Sequence, residues 1–128
     1  LLCGILYSMK VTVFGSQGMA GHVISAYLEQ QGHTVVRVDR TVVDVEQSKE
    51  VHAYLRTVDS DFVINCIGLL VKASNDRPDR AAIINAWFPH CLEEHFKDTK
   101  TRVVHLSTDC VFDGSKGQPT YRNQLLWS

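Results

Sequence analysis

No excess of basic residues marks this chain. Its 13 lysines and arginines stand against 14 acids, for a formal net charge of -1. A surface without a broad positive field excludes electrostatic capture of nucleic acid or of an anionic membrane as its main business. Any phosphate it holds must be met locally, by main-chain amides and one or two side chains. Cysteine is sparse too: Cys3, Cys66, Cys91 and Cys110 have neither the close pairing of a zinc site nor the density of a disulfide framework. Cys66 and Cys110 sit in or beside apolar strand patterns and read as small core residues, which implies a reducing, cytosolic compartment. The histidines His22, His33, His52, His90, His95 and His105 include no H-x-x-x-H pair, so no metal site is expected. No hydrophobic run reaches membrane-spanning length. Residues 1–8 are apolar but too short to cross a bilayer, and they lack the basic start and cleavage pattern of a signal peptide. They are read as an extension of unknown role before a fold that begins at Met9.

What is present is ordinary for one globular domain: 128 residues, of which 45% are hydrophobic and 21% charged. A chain of this size removes roughly two thirds of its unfolded surface from water, enough for a real core. Lys10-Val11-Thr12-Val13-Phe14 is a β-branched run that stops at glycine, a buried-strand signal. Over residues 19–31, Met19, Val23, Ile24, Tyr27 and Leu28 fall at helical spacing and predict an apolar face, with Gly32 placed to end the helix. Thr34 to Asp39 predicts a second strand. Residues 46–58 predict a helix on Val51, Tyr54, Leu55 and Val58. Residues 61–66 form a nearly continuous apolar strand of the kind buried on both faces of a parallel sheet. Residues 80–97 predict a long helix with a kink or break at Pro89, and residues 101–106 another strand. Strand and helix alternate throughout, without internal repeat or linker before residue 113. That pattern predicts an α/β fold: a Rossmann-type parallel sheet with helices on both faces, truncated before the last strands. Residues 9–113 are taken as the nucleotide-binding domain and residues 114–128 as a loop and divergent tail.

The chemistry gathers at strand ends. Gly15-Ser16-Gln17-Gly18-Met19-Ala20-Gly21 follows a predicted strand and opens a predicted helix, the context in which a glycine triplet binds a dinucleotide. Gly15 allows the sharp turn, Gly18 lets a pyrophosphate approach the backbone, and Gly21 lets the helix pack closely. The helix N-terminus adds free N–H groups and partial positive charge. Gln17 and Met19 lie within the same loop. At the end of the second strand, Asp39 can accept hydrogen bonds from ribose hydroxyls, which favours NAD. Arg40 beside it can pair with a 2′-phosphate, which favours NADP. A solvated Asp-Arg pair at a strand end is the alternative, and the cofactor stays open as NADP or NAD.

The G-x-x-G-x-x-G spacing resembles the extended short-chain dehydrogenase/reductases that act on nucleotide-activated sugars. Ser107-Thr108-Asp109-Cys110-Val111-Phe112-Asp113-Gly114 is more specific. It is similar to the S-T-D-x-V-F-x-G segment of the dTDP-4-dehydrorhamnose reductase family, and the resemblance runs from about Met9 to Tyr121. It implies NAD(P)-dependent reduction of the 4-keto group of a nucleotide-activated deoxysugar, and it admits a homodimer. It makes Thr108 the catalytic hydroxyl that hydrogen-bonds the substrate carbonyl. It also implies that Val43-Asp44-Val45 is a short strand segment whose Asp44 approaches the adenine, with Val45 beside it. The turn Asn65-Cys66-Ile67-Gly68 would line the cofactor's central ribose with the backbone of Cys66 and Gly68. Asn65 reads equally as a structural residue bonding neighbouring strand ends, and Asn85 reads as structural. The stretch from Gly68 to Arg80 departs from the family's usual run and leaves the sugar undefined.

The superfamily's Tyr-x-x-x-Lys, which supplies the proton and lowers the tyrosine pKa, is expected about two dozen residues after Thr108, past Ser128. Tyr121 does not replace it, because Leu125 stands where the lysine belongs. The chain is therefore expected to hold a cofactor without turning over substrate alone. A regulatory, non-enzymatic role like that of the β subunit of methionine adenosyltransferase is the alternative.

Overall fold

The computed structural model describes residues 7–107. Four strands, β1 (Lys10–Phe14), β2 (Thr34–Val38), β3 (Phe62–Asn65) and β4 (Arg102–His105), form one parallel sheet in the order β2-β1-β3-β4. The chain moves outward from β1 to β2, then returns across β1 to β3 and on to β4. Because such crossovers are right-handed, that reversal puts the first helix on one face and the later helices on the other. The reversal also opens a crevice between the carboxyl ends of β1 and β3.

Strand pairing is in register from Val11↔Phe62 to Phe14↔Asn65 and from Lys10↔Thr34 to Phe14↔Val38. The pleat therefore points Phe14, Val38 and Val63 to one face, where Val51 and Leu55 of α2 (Ser48–Leu55) and Phe88, Leu92 and Phe96 of α5 (Phe88–Phe96) close the main core. Phe14 is its hub, edge-on to Phe88 at 5.2 Å and to Tyr54 at 5.9 Å. Under the sheet's lower end, the buried hydroxyls of Thr12 and Ser60 bond each other at 2.7 Å, so neither is left unpaired.

On the other face, α1 (Met19–Gln30) packs over β1 and β2 and differs from its expected orientation. Its buried residues are Gly21 and Ser25, while Met19, Val23 and Tyr27 of the predicted apolar face are 90%, 63% and 59% exposed. Ile24 and Leu28 are half-buried flanks. Close approach to the glycine loop decides this: the helix must turn its smallest residue, Gly21, toward the strand it leaves. Gly32 does follow the helix end in the left-handed region, at φ +88°. Ser25 is fully buried, and its hydroxyl has no hydrogen-bond partner among the described residues. Ser25→Ala is expected to stabilise the domain by about 1 kcal/mol, since it removes an unpaired polar atom and improves helix propensity. An unchanged or lower midpoint in urea would count against that account of the site.

Two further expectations need correction. Residues 43–45 are not a strand: the segment turns through main-chain bonds from Val42 and Val43 to the Asp39 carbonyl and from Gln47 to the Asp44 carbonyl. Val43 and Val45 alternate with Asp44 because both are buried, and among the described residues they pair with no strand. The long helix, expected to kink or break at Pro89, continues through that residue, and its irregularity lies just upstream. It runs as α4 (Pro78–Ala81), a π-helical stretch Ala82–Trp87, and α5, in which Pro89 occupies the first turn. Proline lacks an N–H and crowds the carbonyl four residues earlier, here that of Asn85. The wider π turn just upstream gives that carbonyl room. The divergent run after β3 also holds a short helix, α3 (Val71–Asp76), none of it buried.

Candidate cofactor site

The glycine loop is fixed to both neighbouring strands. The N–H groups of Gly15 and Ser16 donate to the Val38 carbonyl at 2.9 and 3.2 Å, and Cys66 N–H donates to the Phe14 carbonyl at 3.0 Å. Gly15 has φ +75°, and a Cβ there would meet Ile67 Cγ1 at 3.0 Å and the Cys66 carbonyl carbon at 3.1 Å. A Cβ on Gly21 would stand 2.0 Å from the Gly15 oxygen. These two positions let strand, turn and helix meet within one van der Waals layer. Gly18 caps α1 without a side chain, and the first bond into the helix runs from His22 N–H to the Gly18 carbonyl at 2.9 Å. The N–H groups of Met19, Ala20 and Gly21 have no main-chain acceptor among the described residues. With no acidic residue in the first turn, the positive end of the helix dipole is left open. Met19 offers only its amide there, since its side chain points into solvent.

Beyond this loop lies a cleft of about 310 Å³, at the low end of the range for small-molecule sites. Its walls join Gly15, Gln17 and Gly18 with Asp39, Arg40, Asp44 and Val45. Of the residues singled out from sequence, Met19, Gly21, Cys66 and Gly68 do not line it. Gly21 acts through packing, and Cys66 is a half-buried residue whose thiol is pushed up by burial. Thr108 lies outside the described residues, as do Cys110 and the boundary expected at residue 113.

Asp39 is held firmly. Its Oδ1 accepts from the Thr41 amide at 2.7 Å and the Thr41 hydroxyl at 2.6 Å, and its Oδ2 accepts from Gln17 Nε2 at 2.6 Å. The Thr41 hydroxyl and amide keep the carboxyl below its usual range, so it is ionised at neutral pH. Gln17 thus ties the glycine loop to the end of β2.

Six wall residues were not singled out from sequence: Val43, Glu46, Ile67, Leu69, Arg80 and Ile84. Glu46 accepts from Arg80 Nε and Nη2 at 2.7 Å each, and from Arg40 Nη2 at 3.1 Å. The Arg80 fork, with help from Arg40, holds the Glu46 carboxyl below its ordinary range. No local motif announces this pairing, because 34 positions separate its members. Asn85, read as structural, has that role: it accepts from Leu69 N–H at 2.8 Å and donates to the Leu69 carbonyl at 3.1 Å, pinning the turn after β3. Asn65 is also fully accounted for. Its Oδ1 accepts from Ile67 N–H at 3.0 Å, and its Nδ2 lies 3.0 Å from His105 Nδ1, joining the ends of β3 and β4. Among the described residues, no cluster of side chains suits a metal ion and no helix is long and apolar enough to cross a membrane.

Residues 9–125 match the family described as RmlD substrate binding domain. A dTDP-4-dehydrorhamnose reductase of Mycolicibacterium smegmatis is 29% identical over 106 residues, which cover 82% of this chain and 32% of that protein. The crystal structure of a dTDP-4-dehydrorhamnose reductase from Clostridium acetobutylicum superposes with a TM-score of 0.77 at 27% identity, covering 88% of this chain and 40% of that one. The same enzyme from Bacillus anthracis, solved in complex with NADP, shares the fold with a TM-score of 0.74 at 21% identity, covering 84% and 39%. The chain thus spans about a third of the length of the M. smegmatis relative.

Proposed function

The chain belongs to the RmlD substrate binding domain family, and from that premise we propose that residues 9–113 are the cofactor-binding part of a reductase of nucleotide-activated deoxysugars. In this reading Gly15, Gly18 and the open amides of Met19, Ala20 and Gly21 receive the pyrophosphate of NADP or NAD. Asp39 and Arg40 face the adenosine ribose, and Asp44 and Val45 border the adenine. Cys66 and Gly68 follow with their backbone along the central ribose, and Thr108 hydrogen-bonds the substrate's carbonyl oxygen. The reaction is hydride transfer from the reduced nicotinamide to a 4-keto carbon, with a proton delivered to its oxygen. The uncapped N-terminus of α1 carries the reading: an unpaired row of amides opens behind a glycine turn, at the crevice where parallel sheets gather ligands. The reductases to which the chain is similar support the sugar-nucleotide substrate class.

Calorimetric titration of the 128-residue chain with NADH and NADPH tests this. Binding is expected for at least one cofactor. Gly18→Val is expected to weaken it about tenfold or more, roughly 1.4 kcal/mol, by filling the path of the pyrophosphate. A Cβ at Gly18 has only the Gly15 oxygen nearby, at 3.3 Å, so the variant tests the ligand path more than the fold. No heat of binding from either cofactor at millimolar concentration would refute the reading.

A further inference from the structure

Asp39 and Arg40 point to different cofactors, and the structure assigns the choice between them to a third residue. We propose that Glu46 biases this cleft toward NADH and against NADPH. The proposal rests on the reading of the cleft as the adenosine end of a nicotinamide cofactor site.

Three carboxylates, Asp39, Asp44 and Glu46, line the cleft against two guanidinium groups, Arg40 and Arg80. Asp39 is pinned in place by Thr41 and Gln17, so it stands as a fixed acceptor for ribose hydroxyls and a fixed negative charge toward a 2′-phosphate. Arg80 is committed to Glu46 through its Nε and Nη2, which hold one carboxylate oxygen each. Arg40 is the remaining guanidinium of the wall that a phosphate would need. Its Nη2 bonds Glu46 at 3.1 Å and lies 3.9 Å from Asp44, with the side chain otherwise 70% exposed. Glu46 is the opposite, only 17% exposed and locked by Arg80. An exposed cation is thus paired with a half-buried anion that Arg80 also holds, and that pairing competes with any phosphate for Arg40. A phosphate would have to pull Arg40 off Glu46 while meeting the charge of Asp39. A 2′-hydroxyl has neither cost.

The experiment compares the dissociation constants of NADH and NADPH for the wild-type chain, Glu46→Gln, and Glu46→Gln with Arg40→Ala, each checked for folding by its thermal transition. The wild type is expected to favour NADH about tenfold. Glu46→Gln keeps the shape and removes the charge, and should narrow that ratio at least about fivefold by strengthening NADPH; adding Arg40→Ala should take the gain away. A wild-type measurement stands apart from any variant's folding. If like charges oppose the 2′-phosphate, raising salt from about 20 to 300 mM should shrink the NADH preference; if Arg40 already grips the phosphate, salt should enlarge it. A wild-type preference for NADPH, an unchanged ratio in a folded Glu46→Gln, or a salt effect of the opposite sign would overturn the proposal. Failure of both cofactors to bind the wild type would instead overturn the cofactor-site reading on which it depends.

Discussion

Gly21→Ala is expected to abolish measurable cofactor binding and to lower the melting temperature by roughly 10 °C or more. The added Cβ would lie 2.0 Å from the Gly15 oxygen, 2.7 Å from the Gly15 carbon and 3.0 Å from Ser16 Cα. Every one of these atoms is main chain, so no side-chain rotation relieves the overlap. Relief requires α1 to move off the loop or the loop to move off the strands. The loop is bonded to Val38 of β2 and abuts Ile67 after β3, so either movement breaks contacts on both sides of the crevice. Overpacking of this kind costs about 1–3 kcal/mol or more, and each kcal/mol moves the transition of a domain near 100 residues by roughly 4–8 °C. The amides of Met19, Ala20 and Gly21 shift with the helix, so binding falls further than stability alone requires. Circular dichroism melts beside calorimetric titration check both parts. A variant with wild-type melting and wild-type affinity would show that the close approach is dispensable.

Phe88→Ala is expected to cost the domain about 3–5 kcal/mol of stability. Phe88 is completely buried where α5 meets the sheet, and its ring stands edge-on to Phe14 at 5.2 Å. Its removal leaves a cavity at the centre of the main core and also forfeits an aromatic pair worth about 0.5–1.5 kcal/mol beyond area burial. Taken from a domain whose whole stability is of order 5–15 kcal/mol, that loss should lower the melting temperature by roughly 15 °C or more. Val23→Ala on the exposed flank of α1 serves as the comparison. Val23 is 63% exposed, and its truncation should stay within about 0.5 kcal/mol. Equal losses for the two variants would mean that the apolar stripe of α1, rather than the face closed by α5, holds the domain together.

That contrast separates what sequence pattern reveals from what it conceals. Strand and helix types were legible because they follow from local pattern: Lys10 to Phe14 is a β-branched run that stops at glycine, and Val51, Tyr54, Leu55 and Val58 recur at helical spacing. The rotation of α1 was not legible, because two stripes competed. Met19, Val23 and Tyr27 made the more apolar one, yet Gly21 and Ser25 face the sheet. Hydrophobicity measures what burial would gain, while the fit of Gly21 against Gly15 is a distance between residues on different elements. Residues 43–45 misled for the opposite reason. Buried valines flank a half-buried acid just as in a strand, and only the lack of a partner strand among the described residues distinguishes a turn.

The glycine loop was the most legible part of the site, and it was sharpened by what surrounds it. Sequence by itself determined that a strand, a G-x-x-G-x-x-G turn and a helix follow one another, since each depends on residues close together in the chain. Asp39 at the strand end followed from the same local logic. Only the tertiary structure decided how that turn is used. It joined Gln17 to Asp39, turned Gly21 rather than Met19 toward the sheet, and brought Arg80 from a later helix onto Glu46, 34 positions before it. The physical reason is range. Backbone torsions and apolar periodicity are written in neighbouring residues, whereas close packing and the pairing of charges depend on which distant segments the fold brings within a few ångströms.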